Sequence, residues 1–474
     1  MNLKDGSANS SALADAFQRQ KAARDHALAP DRPTRDATLA ALEALVAGNV
    51  DAFATAIDLD FRARSKAETM MLEVFPSLEG IRHARRHLGA WMRPRRAPTN
   101  FWFLPGSSRI LPQPLGVVGI VVPWNYPLYL AIGPLVAALA AGNRAMVKMS
   151  ESVPSTGALL ARLVSERFDP AVLTVINGGV DVARDFVALP FDHLLFTGST
   201  DVGRQVMRAA SANLTPVTLE LGGKSPAIVG RGIDVAEAAD RIAYGKCLNA
   251  GQTCIAPDYA LVPRESVDAF CAAGSSAIAR LYPSLRDNPD YTAIIDDRHH
   301  ARLAGYLDEA RQGGARVIEV NPAGEDFTGS PKMAPALVVG APETTRLMCE
   351  EVFGPILSVV PYDTLDDAIA YVNARPRPLA LYIFDHNRAA VDQVLARTLS
   401  GGVSVNETLL HIAQEELPFG GVGPSGMGEY HGRAGFDTFS KRKPVFHQSR
   451  INGLKLFRPP YGKRFATLVK LLLR

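Results

Sequence analysis

Residues 116–149 read GVVGIVVPWNYPLYLAIGPLVAALAAGNRAMVKM, and this stretch decides the fold. GVVGIVVP is a short β-branched run closed by Pro123. From Leu128 to Ala141 the apolar residues take helical spacing. RAMVKM then returns to a strand pattern. A strand, a helix of that length and a second strand form a βαβ unit, whose strands lie parallel. The same texture continues toward the C-terminus. AVLTVING, a short helix, HLLFTG and the helix VGRQVMRAA lead to Glu220, and a second series opens at SPAIVG (225–230). It runs through TCIAPDYALVP, ARVIEV, KMAPALVVG, PILSVVPY, LALYIF and GGVSVN. Two doubly wound, Rossmann-like α/β domains in tandem are predicted.

Toward the N-terminus, residues 9–85 read as helices. Leu39, Leu42 and Leu45 repeat at three-residue spacing, and turns are expected at 31–33 and 49–51. Residues 100–122 read as strands broken by Pro105, Gly106, Pro112 and Pro114. From Phe436, TFSKRKPVFHQ reads as a further strand before a basic, apolar tail. Neither an internal repeat nor a low-complexity segment is present.

The chain has 474 residues, 51 basic and 48 acidic, with 47% hydrophobic residues. That balance excludes collagen, coiled coil and disordered chains. No window offers the roughly 18 uninterrupted apolar residues of a spanning helix, and the first residues lack a signal-peptide core. The net charge of +3 hides an asymmetry: residues 441–474 hold ten Lys or Arg and no acid, so the preceding 440 sum to −7. The cysteines (Cys247, Cys254, Cys271 and Cys349) match neither a disulfide framework nor zinc-ligand spacing. A reducing cytoplasm is expected, and no metal. Nucleic-acid binding has only the basic tail in its favour.

Several positions could carry chemistry. Cys254, in GQTCIAP, follows glycine and small polar residues that let a ligand approach; it is either a nucleophile or simply a buried thiol. Cys247, Cys271 and Cys349 read as inert. Glu220, between leucines and before Gly222 and Gly223, is a desolvated base or a salt-bridged strand end. Asn125, where a strand meets a Pro-rich turn, is an oxyanion donor or a turn residue. In FTGSTDVG, Gly198, Ser199 and Gly203 suit a phosphate at a helix N-terminus, or an ordinary turn. Lys148 and Glu151 in VKMSES could bind ribose hydroxyls, or form an exposed loop pair, the commoner reading of the two residues alone. Glu351 and Phe353 in EEVFGPIL, an acid and an aromatic before Gly-Pro, make a ribose and nicotinamide contact or an ordinary turn.

In order, PWNYP, KMSE, FTGST, LELGGKSP, GQTC, EEVFGPI and PFGGVGPSGMG resemble the aldehyde dehydrogenase superfamily from about Val118 to Phe439. The short N-terminus and LFRPPYGKRF are similar to its class 3 branch, and EYHGRAGFDTFSKRKPVFHQ to bacterial coniferyl aldehyde dehydrogenases. The resemblance implies Cys254 as nucleophile, Glu220 as general base and Asn125 as oxyanion donor. It implies NAD as cofactor, with NADP possible. Trp124, Lys148, Glu151, Gly198, Ser199, Gly203, Glu351 and Phe353 would hold it. KMSE has Met149 where the family has proline, which is expected to loosen that loop. The implied reaction is oxidation of an aldehyde, coniferaldehyde-like or medium- to long-chain, to the acid. Rival readings are an enzyme passing the acyl group to coenzyme A, against which Glu220 argues, and an idle structural homologue.

Strand pattern and resemblance together divide the chain. Residues 1–94 and 114–221 form the NAD-binding domain, and 222–415 the catalytic domain. Residues 95–113 and 436–448 form an oligomerisation hairpin, expected in a homodimer, and 449–474 a tail. In that tail Phe465, Leu468, Val469 and Leu472 share a helical face beside Lys463, Arg464, Lys470 and Arg474. Such a helix packs on protein or rests weakly on an anionic membrane surface.

Overall fold

The strand Val117–Val121 lies at the middle of a six-stranded sheet. The computed structural model describes residues 4–473, so Arg474, assigned above to the tail helix, lies outside the described residues. In space the sheet runs Gly426–Met427, Val217–Glu220, His193–Thr197, Val117–Val121, Arg144–Lys148, Leu173–Ile176. All neighbours are parallel except Gly426–Met427, which pairs antiparallel with Leu219 and Glu220. The chain steps outward twice from Val117–Val121, then crosses back to His193–Thr197 on the other side. Strand order therefore reverses between these two strands, and the crevice beyond their carboxyl ends is where such sheets bind ligands.

A second sheet has seven strands in the order Arg316–Glu319, Ala336–Val339, Ile356–Tyr362, Pro257–Pro263, Ser225–Val229, Ala380–Phe384, Gly402–Val405. Only Arg316–Glu319 is antiparallel. The strands buried on both faces are continuous apolar runs, which is why the sequence announces them so clearly. The predicted α/β architecture of two doubly wound sheets is what the chain forms.

N-terminal helices cover the first sheet. Arg32–Ala47 begins at Asp31, whose carboxylate accepts the Thr34 N–H at 3.0 Å, and it buries Leu39, Leu42 and Leu45 completely. The crossover helix Tyr129–Ala140 is buried almost all round and has no capping side chain of its own. Its first amides need a partner in the interior. Glu73, from the preceding helical segment, supplies one, accepting Leu128 N–H at 2.8 Å and Tyr129 N–H at 3.3 Å.

A third, antiparallel sheet joins Arg95–Ala97, Ser107–Pro114 and Ser440–His447, with Ser440 opposite Pro114 and His447 opposite Ser107. One boundary differs from the sequence reading. Phe436 lies in a short helix, Gly432–Thr438, and the strand starts at Ser440. Phe436 is buried against Trp91, with ring centroids 5.7 Å apart, so its aromatic character reports a helix contact rather than a strand face. Beyond the sheet, Lys463–Leu472 forms the tail helix; Phe465, Leu468 and Val469 are half-buried, and no residue of it is fully buried.

Candidate active site

The carboxyl ends of the first sheet's strands face the amino ends of the second's. Between them lies a cavity of 230 Å³. Pro123, Trp124 and Asn125 follow the strand Val117–Val121, and Thr197, Gly198 and Ser199 follow His193–Thr197. Glu220 ends Val217–Glu220; Cys254 precedes Pro257–Pro263; Glu351 and Phe353 precede Ile356–Tyr362. Of the residues singled out in the sequence, Trp124, Asn125, Gly198, Ser199, Glu220, Cys254, Glu351 and Phe353 converge on this one wall. Lys148, Glu151 and Gly203 are not part of it.

Cys254 sits just after a tight turn, Leu248–Gly251, in which Asn249, Ala250 and Gly251 all have left-handed φ (51°, 49° and 72°). A Cβ on Gly251 would lie 2.2 Å from the carbonyl oxygen of Gly354, so glycine is required there. Gln252 locks the turn, donating to the carbonyls of Asn249 and Ala293 at 2.9 Å and accepting from Ile295 N–H at 3.0 Å. The half-buried Cys254 thiol is pushed up by burial, then by the Glu351 and Glu220 carboxylates; the backbone N–H groups of Cys254 and Ile255 pull it back. Those amides are also where a developing oxyanion would be met. Asn125 is buried across the loop, its Nδ2 donating to the Gln252 carbonyl at 3.2 Å.

Glu220 is 2% exposed, and neither carboxylate oxygen has a hydrogen-bond partner. Burial, with Glu429 nearby, holds its pKa well above the usual carboxylate range. The antiparallel pairing of Glu220 with Gly426 pins the strand end, and Leu221 N–H donates to the Ser425 carbonyl at 3.0 Å. Glu351 is half-buried as a residue, but its carboxylate is pushed up to about 8 by burial, while the Gly223 amide favours its charged form. A Cβ on Gly222 would stand 2.2 Å from Glu351 Oε2, so the glycine makes room for this acid. Behind the loop, Lys224 pairs with Asp258 and donates to the Leu347 and Glu350 carbonyls at 2.8 Å. Asp258 accepts Val352 N–H at 2.8 Å. Phe353 takes φ +49° and meets Trp124 edge-on at 5.3 Å.

Beneath Asn125 lies a buried charge cluster that the sequence reading missed. Arg64 donates to the Asn125 carbonyl at 3.0 Å and lies 3.9 Å from Glu68 and 3.7 Å from Glu73, with no side-chain exposure. Its guanidinium stands 4.8 Å from the Phe61 ring and 5.0 Å from that of Tyr126. Glu68 accepts Asn249 N–H at 3.0 Å and the Thr292 hydroxyl at 2.9 Å, so one ion cluster holds both the Asn125 backbone and the Cys254 turn. Burial raises both acids, Glu73 to about 7, and Arg64 opposes the rise. In an α-helix, positions five apart point about 140° away from each other. Glu73 lies within a π turn, Met70–Val74, that follows Glu68, and both acids face Arg64.

The remaining predicted residues fall nearby. Ser199 caps the helix Thr200–Ser211, accepting Val202 N–H at 3.4 Å, and lines both this cavity and an adjoining one of 860 Å³. Gly203 is a packing glycine: a Cβ would meet the Leu221 side chain at 2.6 Å. Lys148 is buried, donating to the Met149 and Gly178 carbonyls at 2.7 and 2.8 Å; Glu151, half-exposed, lies 3.9 Å away. Met149 does not loosen the loop. It is 1% exposed and its N–H donates to the Ile176 carbonyl at 3.0 Å, because its side chain fills the core where proline could not donate. Cys349 departs from the reading of three inert buried thiols: it is exposed and lines the 860 Å³ cavity, while Cys247 and Cys271 are buried. His299 and Arg302, at the start of Asp297–Gln312, complete the 230 Å³ cavity without any motif to mark them. Arg302 donates to the Val352 carbonyl at 2.8 Å.

On the other side of the Cys254 turn a third cavity, of 590 Å³, is lined by Met71, Leu72, Phe75, Tyr129, Leu248 and Leu409, with acidic residues at its rim. Leu248 opens the turn that precedes Cys254, and Tyr129 starts a helix four residues after Asn125.

The model of the aldehyde dehydrogenase family matches residues 5–445. A Pseudomonas aeruginosa protein named "Probable coniferyl aldehyde dehydrogenase" is 52% identical over 459 residues, covering 97% of this chain and 96% of its own length. The solved structure described as the substrate-bound state of Staphylococcus aureus AldH superimposes with a TM-score of 0.91 at 36% identity, covering 100% of both chains. That of a Mycobacterium tuberculosis aldehyde dehydrogenase complexed with NAD+ gives 0.83 at 26% identity, covering 93% of this chain and 90% of its own.

Proposed function

The chain belongs to the aldehyde dehydrogenase family, and we propose that it oxidises an aromatic, coniferaldehyde-like aldehyde to the carboxylic acid with NAD. The convergence of Cys254, Asn125 and Glu220 on one cavity carries this reading. The similarity over nearly the whole chain to a protein named for coniferyl aldehyde supports the substrate class.

In this mechanism the Cys254 thiolate attacks the aldehyde carbon. The amide of Asn125 and the backbone N–H of Cys254 stabilise the resulting oxyanion, an effect worth about 10²–10³ in rate per donor. Asn125 must then leave the Gln252 carbonyl for the substrate oxygen. Loss of hydride converts the thiohemiacetal to a thioester on Cys254. Glu220 takes a proton from water, hydroxide adds to the thioester, and the acid departs with the thiolate restored. Its unpartnered carboxylate is free to accept that proton.

The cofactor's site passes a test of fit. The N-terminus of Thr200–Ser211 opens on the 860 Å³ cavity and suits a pyrophosphate, and the buried Glu351 Oε1 lacks a partner that a ribose hydroxyl would supply. When bound, the dinucleotide accepts the hydride. Gly198 and Ser199 would cover its phosphates, with Gly203 letting that helix approach. Lys148 and Glu151 would take the adenine ribose, and Trp124, Glu351 and Phe353 would steady the nicotinamide end. An acid at position 151 favours NAD over NADP.

The 590 Å³ cavity is the proposed approach for the aldehyde, its apolar wall suited to a ring. We further place the enzyme in the cytoplasm as a homodimer joined through the sheet containing Ser440–His447. The tail helix is proposed to rest on protein in preference to a membrane surface. A steady-state panel of cinnamyl-type and C6–C12 aliphatic aldehydes, with NAD and with NADP, tests the substrate assignment. The highest kcat/KM should fall on the aromatic series with NAD; a clear preference for the aliphatic series overturns it.

A further inference from the structure

His83 and His87 stand one turn apart on the helix Phe75–Trp91, in the sequence HARRH. Residues four apart share a helix face, the spacing with which two imidazoles commonly reach one metal ion. Their ring centroids are 4.2 Å apart. His87 Nδ1 lies 2.9 Å from the His83 carbonyl, and a carbonyl only accepts, so Nδ1 carries the proton and Nε2 presents its lone pair. This is how a protein orients an imidazole toward a metal. Trp91 stacks on the same ring at 5.9 Å and 18°.

Glu416, from the segment between Asn406 and Leu417, faces this pair. Its Oε1 lies 3.1 Å from His83 Nε2. His83 is 7% exposed and that buried nitrogen makes no hydrogen bond, so the contact does not have hydrogen-bond geometry. Two donors each about 2.0–2.1 Å from a tetrahedral zinc ion stand about 3.3 Å apart. One donor atom from each of His83, His87 and Glu416 fits within a mutual separation of 4.8 Å.

We propose that His83, His87 and Glu416 bind a divalent transition-metal cation of the zinc type at the rim of the 590 Å³ cavity. Two imidazoles and one carboxylate are the donors such a cation selects, and a fourth position is left for water. Calcium and magnesium, which take oxygen ligands, are not expected there. His83 and Glu416 both belong to the cavity wall, so a bound cation ties the Glu416 segment to the helix at the mouth. The site uses none of the residues assigned to aldehyde chemistry, and its failure would leave that reading intact.

Cobalt(II) titration of the full chain tests this, followed by absorption and by equilibrium dialysis. One cobalt per chain should bind with a visible d–d spectrum and no sulfur-to-metal charge-transfer band. Zinc should displace it. His87→Ala and Glu416→Gln, at half-buried and exposed positions, should each weaken binding by at least about tenfold. A thiolate band, or variant affinities equal to that of the parent chain, would assign the cation to a cysteine or to the general surface and overturn the proposal. Absence of binding at millimolar cobalt overturns it too.

Discussion

Replacing Arg64 by methionine removes the cation that, among the described residues, stands against two interior carboxylates. Arg64 has no side-chain exposure, and it lies within 4 Å of Glu68 and Glu73 while holding the Asn125 carbonyl at 3.0 Å. Removing one partner of a buried ion cluster typically costs about 3–5 kcal/mol, because the remaining charge is left without compensation. The cost must depend on pH. Glu73 already sits near 7 against an ordinary 4.5. A carboxyl raised in the folded state keeps a proton that the unfolded chain has released, so stability falls as pH rises from the unfolded toward the folded value. Without Arg64 both acids rise further. The loss should therefore be full above about pH 8 and shrink toward pH 5, where protonation removes the stranded charge. Urea unfolding followed by tryptophan fluorescence, at pH 8 and at pH 5.5, measures this directly. The kcat of Arg64→Met should also fall by about 10²-fold, as expected when a displaced backbone moves an oxyanion donor by an ångström. Equal stability of variant and parent at pH 8, or a deficit that grows on acidification, would refute the argument.

Other perturbations separate the parts of the site. Gly251→Ala places a Cβ against the Gly354 and Lys246 carbonyls at left-handed φ; it should cost about 2–4 kcal/mol and most of the activity. Gly314→Ala, at φ +82° with nothing within 4 Å, is the control and should cost only about 1 kcal/mol by thermal unfolding. Glu220 and Cys254 are both held above their ordinary values and must both lose protons. Steady-state turnover should therefore climb through neutral pH by up to about tenfold per unit; a flat profile from pH 6 to 9 counts against both assignments. Glu151→Ala should raise the ratio of kcat/KM with NADP to that with NAD by about tenfold, through loss of the acid proposed to bind a ribose hydroxyl and to repel a 2′-phosphate.

The α/β architecture was legible because its strands are buried on both faces. Val117–Val121 and Ala380–Phe384 carry no charged residue. The residues on the first cavity's wall were legible where they sit at strand ends inside distinctive local sequences. Arg64, Glu68 and Glu73 were not, because periodicity reads a regular helix and a π turn breaks the period. Each looks like a surface charge until a partner far along the chain is placed against it: Glu68 meets Asn249 and Glu73 meets Leu128 only in the folded chain. His299 and Arg302 were hidden for a related reason, since a helix start with Asp296 as its cap reads as ordinary surface. At Phe436 the strand pattern of TFSKRKPVFHQ was extended too far back, because the packing partner of Phe436, Trp91, lies on a helix remote in sequence.

In the proposed mechanism the aldehyde carbon is held as a thioester on Cys254 until Glu220 activates water. Glu220→Gln keeps the size of the side chain and removes the base. Mixed with coniferaldehyde and NAD, this variant should release one equivalent of NADH per active site and then stall. Intact mass and peptide mapping should find the acyl group on Cys254. Continuous turnover at the parental rate without an adduct, or an adduct on Cys349 instead, would contradict the account.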